Sequence, residues 1–320
     1  GRLEGRLLNR SGTQVLGKAY EGPNWRSKTH ALSDDVVLSL TGQKGIAQTQ
    51  IAYKAEYGGV SEIFVADYDG HNAAPVTADH VIIAAPSWGA GSQWLAYTSY
   101  KLGNADIFSH NLVTGERHIV ARYGGSNLSP ALAPGGRLVA MVLSKGGRPD
   151  LYVADVHGRG LQQLTHSRDG AASPCWSPDG QSICYVSSDD GPAQLYRIGA
   201  NGGQPQRIRT VGVYNATEPD WSPDGKWIAY LFAAGAGPPS VYVAPYPGPG
   251  GKRQISPAPG LLPRWSRDGR EIVRQAFESL ERRLPADGYA VGPQFSVADA
   301  ALFYNEFWAD KVSIAMPPRV

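Results

Sequence analysis

The sequence predicts a mainly β protein, a propeller of four-stranded antiparallel blades, and two markers sharing one period predict it. The first is a short phrase, clearest as Pro174-Cys175-Trp176-Ser177-Pro178-Asp179-Gly180 and Pro219-Asp220-Trp221-Ser222-Pro223-Asp224-Gly225. Weaker copies run from Pro86 to Gly91, Pro130 to Gly136 and Pro263 to Gly269. Its third residue is Trp88, Leu132, Trp176, Trp221 and Trp265, at steps of 44, 44, 45 and 44 residues. The second marker is an aromatic inside an apolar run: Phe64, Phe108, Tyr152, Tyr196 and Tyr242, at steps of 44, 44, 44 and 46. A repeat of about 40–50 residues built of short strands is the signature of a propeller or a similar array.

Three parts follow in order. In residues 1–46, Leu3 and Leu7, then Val15 and Tyr20, flank a turn at Asn9-Arg10-Ser11-Gly12 and read as a hairpin. From Trp25 to Thr41 the residues Leu32, Val36, Val37 and Leu40 share one helical face, with Gly42 as the C-cap. This is part of a small α+β domain. Residues 47–270 carry the repeat. In the unit from Pro174, short strands at 174–176, 183–186, 194–198 and 206–208 are separated by Ser-Pro-Asp-Gly, a second turn and Asn201-Gly202-Gly203. In residues 271–320 the rhythm stops. Ile272, Val273, Phe277, Leu280 and Leu284 have helical spacing, and Ser296 with Asp299 makes a capping box before a helix ending near Trp308. This is a short helical tail.

The blade count has two readings. Residues 49–77 supply three outer strands of a first blade and four blades follow; Pro263-Arg264-Trp265 then either closes a ring of five or opens a sixth that the tail interrupts. The interrupted ring is the expectation.

Hydrophobic content of 42% supports a packed core, and 39 glycines and 24 prolines suit many tight turns. The balance of 30 basic and 28 acidic residues argues against nucleic acid or a membrane surface as partner. No apolar run is long enough to span a bilayer. Gly1 opens inside a strand, so the true N-terminus, with any signal peptide, is expected upstream. For the two cysteines, a three-residue loop would pair residue 175 with 183, put Cys175 and Cys184 on opposite faces and leave both as free thiols.

The first 270 residues resemble the TolB family, the periplasmic propeller proteins of the Tol–Pal system. Beyond the shared W-S-P-D-G turn, the resemblance rests on Leu16-Gly17-Lys18-Ala19-Tyr20, Asn24-Trp25-Arg26 and Leu40-Thr41-Gly42-Gln43-Lys44-Gly45. Gln50-Ile51-Ala52-Tyr53 and Asp67-Tyr68-Asp69-Gly70 extend it. It implies six blades, a periplasmic and non-catalytic envelope role, and docking of the peptidoglycan-associated lipoprotein and other Tol proteins by a monomer that spans no membrane. In the tail, Phe295-Ser296-Val297-Ala298-Asp299-Ala300-Ala301-Leu302-Phe303-Tyr304 resembles the core helix of the glutathione S-transferase C-terminal domain. No thioredoxin-like half accompanies it, so no transferase activity is carried over.

In a blade the strand leading into Pro-x-Trp lies nearest the axis, so the residues before each proline should line the channel mouth. These are Ser126, Asn127 and Ser129, then Ser173, then Asn215, Thr217 and Glu218, with Tyr214 as an aromatic anchor. They suit docking a peptide or partner loop; the plainer reading is that they satisfy backbone groups around a wet channel. Asp179, Asp224 and Asp268 repeat one turn position in separate blades and are explained by the turn. The seven histidines form no metal motif. No catalytic residue, metal or cofactor is expected. A serine-peptidase propeller would need a G-x-S-x-G elbow, which the sequence lacks.

Overall fold

A strand apolar on both faces must be covered on both. The middle strands are of this kind: Leu138–Leu143 buries all but its first residue. Stacking sheets face to face meets that demand. The computed structural model describes residues 1–275 apart from 90, 211, 214, 234–236, 249, 257–259, 267–268 and 270–271. The hairpin is β1 (Leu3–Leu8) and β2 (Gln14–Tyr20), followed by α1 (Trp25–Thr41). The strands β3 (Gln50–Tyr57), β4 (Val60–Asp67) and β5 (Ala74–Pro75) form a three-stranded sheet in sequence order.

Four sheets of four strands follow, each in sequence order. They are β6 (Ile83–Trp88), β7 (Trp94–Ser99), β8 (Asp106–Asn111) and β9 (Arg117–Ala121); then β10 (Asn127–Leu132), β11 (Leu138–Leu143), β12 (Asp150–Asp155) and β13 (Gln162–Gln163). The next is β14 (Ala171–Trp176), β15 (Ser182–Ser187), β16 (Gln194–Gly199) and β17 (Gly202–Arg207). The last of the four is β18 (Ala216–Trp221), β19 (Trp227–Phe232), β20 (Ser240–Pro245) and β21 (Arg253–Gln254). Finally β22 (Leu261–Trp265) pairs with β23 (Ile272–Gln275) in a sheet of its own. Thus Ile272 and Val273, expected to be helical, are strand, because Trp265 and Arg264 offer them antiparallel partners. Phe277, Leu280, Leu284 and the helix expected over 296–308 fall outside the described residues.

The chain forms two compact units. Among the described residues the first holds Gly1–Ile51 and Val65–Ala74. Its helix is capped at both ends: Asn24 Oδ1 accepts from Ser27 N at 2.8 Å, and Gly42, at φ +71°, donates to Leu38 O at 2.8 Å. Gly5 lets the hairpin approach the helix, since a Cβ there would lie 2.4 Å from Leu32 Cδ1. Arg26 bonds Asp67 and Asp69. Only Lys28 of the helix is fully buried, and Leu38 and Leu40 are exposed.

The second unit holds Ala52–Phe64 and, among the described residues, those from Pro75 onward. The second marker has a cross-strand partner: Tyr97 faces Phe108, Met141 faces Tyr152, Tyr185 faces Tyr196 and Tyr230 faces Tyr242. Such facing pairs stabilise a ladder by about 0.2–1 kcal/mol each. Between sheets the tryptophans close the gap. Trp176 joins Ala131, Leu151 and Tyr185 in one cluster, and its Nε1 donates to Ala131 O at 2.8 Å. Trp265 Nε1 likewise reaches Asp220 O at 3.2 Å, whereas Trp88 and Trp221 donate within their own turns, to Ser92 O and Gly225 O. The fourth strands β13, β17 and β21 are short or polar, which blunts those edges.

Gly89 sits where the third blade's turn approaches: a Cβ there would lie 2.3 Å from Ala133 O. Backbone cannot yield as a side chain can. Gly89→Ala is therefore expected to lower stability by about 1–3 kcal/mol, read as a lower denaturation midpoint in urea.

The repeat turn behaves as read. Gly180 takes φ +68° and donates to Ser177 O at 2.9 Å, while Asp179 Oδ1 accepts from Ser177 Oγ at 2.5 Å and Gln181 N at 3.0 Å. Asp224 repeats this with Ser222 Oγ and Lys226 N. The serine hydroxyl and then the backbone N–H hold both carboxyls below their usual range. Asp268 lies outside the described residues. The cysteine register is corrected: Cys175 faces Cys184, and Trp176 faces Ile183. Asp179 draws Gln181 into the loop, which has four residues rather than three, so Ser177 closes on Ser182. Both thiols are free and buried.

Candidate functional site at the ends of the inner strands

Proline removes a ladder donor, so within a strand it favours a bulge. β6, β10, β14, β18 and β22 each carry one at the repeated proline, with register shifts at Ala84/Ser87, Leu128/Ala131, Ala172/Cys175, Thr217/Asp220 and Leu261/Arg264. The residue before each proline is left-handed: Ala85 (φ 51°), Ser129 (51°), Ser173 (47°), Glu218 (50°) and Leu262 (49°). None is glycine, so each position is strained by about 1–3 kcal/mol. A bulge re-aims its side chain. The first strands lie beside one another from sheet to sheet, and Ser173 Oγ donates to Glu218 Oε1 at 2.8 Å across that boundary. The repeated prolines were the signal that could have revealed these bulges from sequence.

The expected mouth residues fall into three groups. Ser129, Ser173, Thr217 and Glu218 are half-buried beside or at the bulges, and Ser126 and Asn215 are exposed. Asn127 is fully buried. Its Nδ2 donates to Ala105 O and Tyr123 O, and its Oδ1 accepts from Tyr123 N, so it braces the loop and presents no side chain outward. Tyr214 lies outside the described residues.

A row of buried acids stands at the same end of the sheets, which sequence reading missed. Asn127 pairs Leu143, and Leu143 pairs Asp150, so the third strand begins level with Asn127. Asp150 accepts from Thr165 Oγ1 at 2.8 Å and Ser167 N at 2.7 Å. Glu62 accepts from Thr77 Oγ1 and from His80 N at 2.6 Å. Between them Asp106 has Ala121 where the others have threonine, and its buried Oδ2 has no hydrogen-bond partner among the described residues; the Arg122 guanidinium is 3.6 Å away. Burial pushes the Asp106 carboxyl up, against the pull of Arg122. The folded chain therefore holds a proton there that the unfolded chain releases, and stability falls as pH rises through that range. Asp106→Asn should raise stability by about 1 kcal/mol at neutral pH, with the gain vanishing in acid, in paired urea melts.

Asp220 lies two residues past Glu218. Its Oδ2 accepts from Trp265 N at 2.7 Å on the next first strand. Burial pushes this carboxyl up to about 6, against Arg264 and the Trp265 N–H. Ser87 does the same work between earlier sheets, accepting from Leu132 N at 2.8 Å. These side chains join neighbouring inner strands. Among the described residues no group of three His, Cys, Asp or Glu could hold a metal, and no helix is long and apolar enough to cross a membrane.

Comparison with known proteins fits this geometry. The model of the TolB beta propeller domain family matches residues 37–245. That of the glutathione S-transferase C-terminal domain matches residues 263–319, starting inside β22. The Tol-Pal system protein TolB of Francisella tularensis is 32% identical over 236 residues, covering 68% of this chain and 53% of that protein. Its counterpart in Bordetella pertussis is 33% identical over 193 residues, covering 59% and 44%. The chain thus spans about half the length of these curated relatives. The crystal structure of TolB from Acinetobacter baumannii superposes with a TM-score of 0.77 at 24% identity, covering 87% of this chain and 71% of that one, which supports the fold.

Proposed function

The chain belongs to the TolB β-propeller family, and on that premise we propose that it is a non-catalytic docking protein of the Tol–Pal envelope system. It works in the periplasm as a monomer and binds the peptidoglycan-associated lipoprotein, or a peptide of another Tol protein, at the mouth formed by the first strands. The observation that carries this is the row of strained bulges ending in Ser129, Ser173 and Glu218, with the serine–carboxylate bond joining two of them. Strain of this kind, repeated at one level, holds polar side chains toward a common axis where a guest can meet them. Ser126, Asn215 and Thr217 extend that polar rim, and Asn127 keeps the loop before it in place.

The test uses the purified soluble domain of the peptidoglycan-associated lipoprotein and titration calorimetry. Glu218→Ala is expected to weaken binding by about tenfold, or 1.4 kcal/mol. Ser126→Ala should do less. Equal affinity in all three proteins removes the mouth from the interface, and no binding by the parent chain removes the partner. The match over 263–319 favours a second reading, a transferase-like module following the propeller. Glutathione-conjugation activity of the chain would support it; the docking reading expects none.

A further inference from the structure

The observed register favours chemistry that a pairing of residue 175 with 183 would disfavour. Cys175 on β14 and Cys184 on β15 are direct register partners, so both side chains leave the hairpin on one face. They are the only two cysteines of the chain. That face packs toward the following blade, whose Trp221 and Tyr230 share a cluster with both cysteines and with Val186 of β15. Directly opposed residues of antiparallel strands have Cα atoms about 4.5–5.5 Å apart, inside the range of about 4.4–6.8 Å that a disulfide spans. Among the described residues no third donor joins them to hold a metal. What two adjoining thiols offer is a bond to each other.

We propose that Cys175 and Cys184 are a reversible cross-strand disulfide site that staples the innermost strand of this blade to the second. Two S–H bonds break and one S–S bond forms. Two electrons and two protons pass to a disulfide oxidant of the glutathione or protein-disulfide class, which leaves as two thiols. The Cys184 thiol and burial push the Cys175 thiol well above its ordinary value. Thiolate at Cys175 is therefore scarce in the folded chain, and its exchange is fastest while the hairpin is open. An oxidising compartment is supplied by the envelope reading; the bond itself does not depend on it, and the test contains no partner protein.

The reduced, unfolded chain is refolded in buffers of varied oxidised-to-reduced glutathione ratio, trapped with a maleimide, digested and mapped by mass spectrometry. Folded monomer is expected to carry a Cys175–Cys184 linked peptide. The linked fraction should rise with the oxidised form and fall back on adding reductant. Cys175→Ser and Cys184→Ser should each abolish the link and leave the remaining cysteine open to maleimide or glutathione. The same map on native chain incubated with oxidised glutathione covers the case of poor refolding. Two free thiols across the whole range in both experiments, or only mixed disulfides with glutathione, would overturn the proposal.

Discussion

Trp176→Ala is expected to lower stability by about 3–5 kcal/mol, the range for deleting a large buried aromatic. The side chain is 8% exposed and sits in a cluster drawn from two blades, with Ala131 and Leu151 on one side and Ile183 and Tyr185 on the other. Its removal leaves a void between sheets and an Ala131 carbonyl without its indole donor. Neither blade can collapse into the gap without tilting its neighbour. Urea denaturation followed by far-UV dichroism measures the effect. Trp227→Ala is the control, since that ring is 39% exposed on its sheet and should lose about 1 kcal/mol or less. Equal losses at the two positions would mean that the blades are not held by their repeated tryptophans.

The second large effect is a pH dependence centred on Asp220. Its carboxyl has an ordinary value of 3.8 and rises to about 6 in the folded chain. A raised folded value means that the native state keeps its proton longer. Its stabilising contribution is whole below about 4 and is lost as pH climbs through about 6. The span corresponds to about 2–3 kcal/mol if burial is complete, and less to the extent that water reaches this half-buried residue. Asp220→Asn keeps an oxygen for the Trp265 N–H and removes the charge. The variant should match the parent near pH 4 and exceed it above pH 6.5. Parallel curves across that interval would show that Asp220 titrates as it does in the unfolded chain.

Much of the architecture could be read from the residues. The Ser-Pro-Asp-Gly turns, the capped helix at Trp25–Thr41 and the placing of aromatics on the third strands follow from local chemistry. Proline presets φ, aspartate accepts from the N–H two residues on, and glycine takes the left-handed corner. A period of 44 residues then carries those decisions from blade to blade. For the candidate site, the sequence marked only the residues before the repeated prolines. Asn127 was a candidate because it stands just before a repeated proline; it is spent on Tyr123 and on Ala105, the latter brought near only by the fold. Asp106 could not be singled out without knowing that Ala121 stands where Thr77 and Thr165 serve the other acids.

By itself, then, the sequence determined the repeat, the strand order within a blade and the family, because all three depend on residues close along the chain or spaced at a constant interval. The tertiary structure alone decided which face each side chain takes. One residue more in a loop, Gln181, turned Cys184 toward Cys175, and one bulge per inner strand turned Ser173 toward Glu218. The physical reason is the two-residue alternation of a strand: a single-residue slip reverses every side chain, and only pairing with a distant partner fixes where the slip occurs.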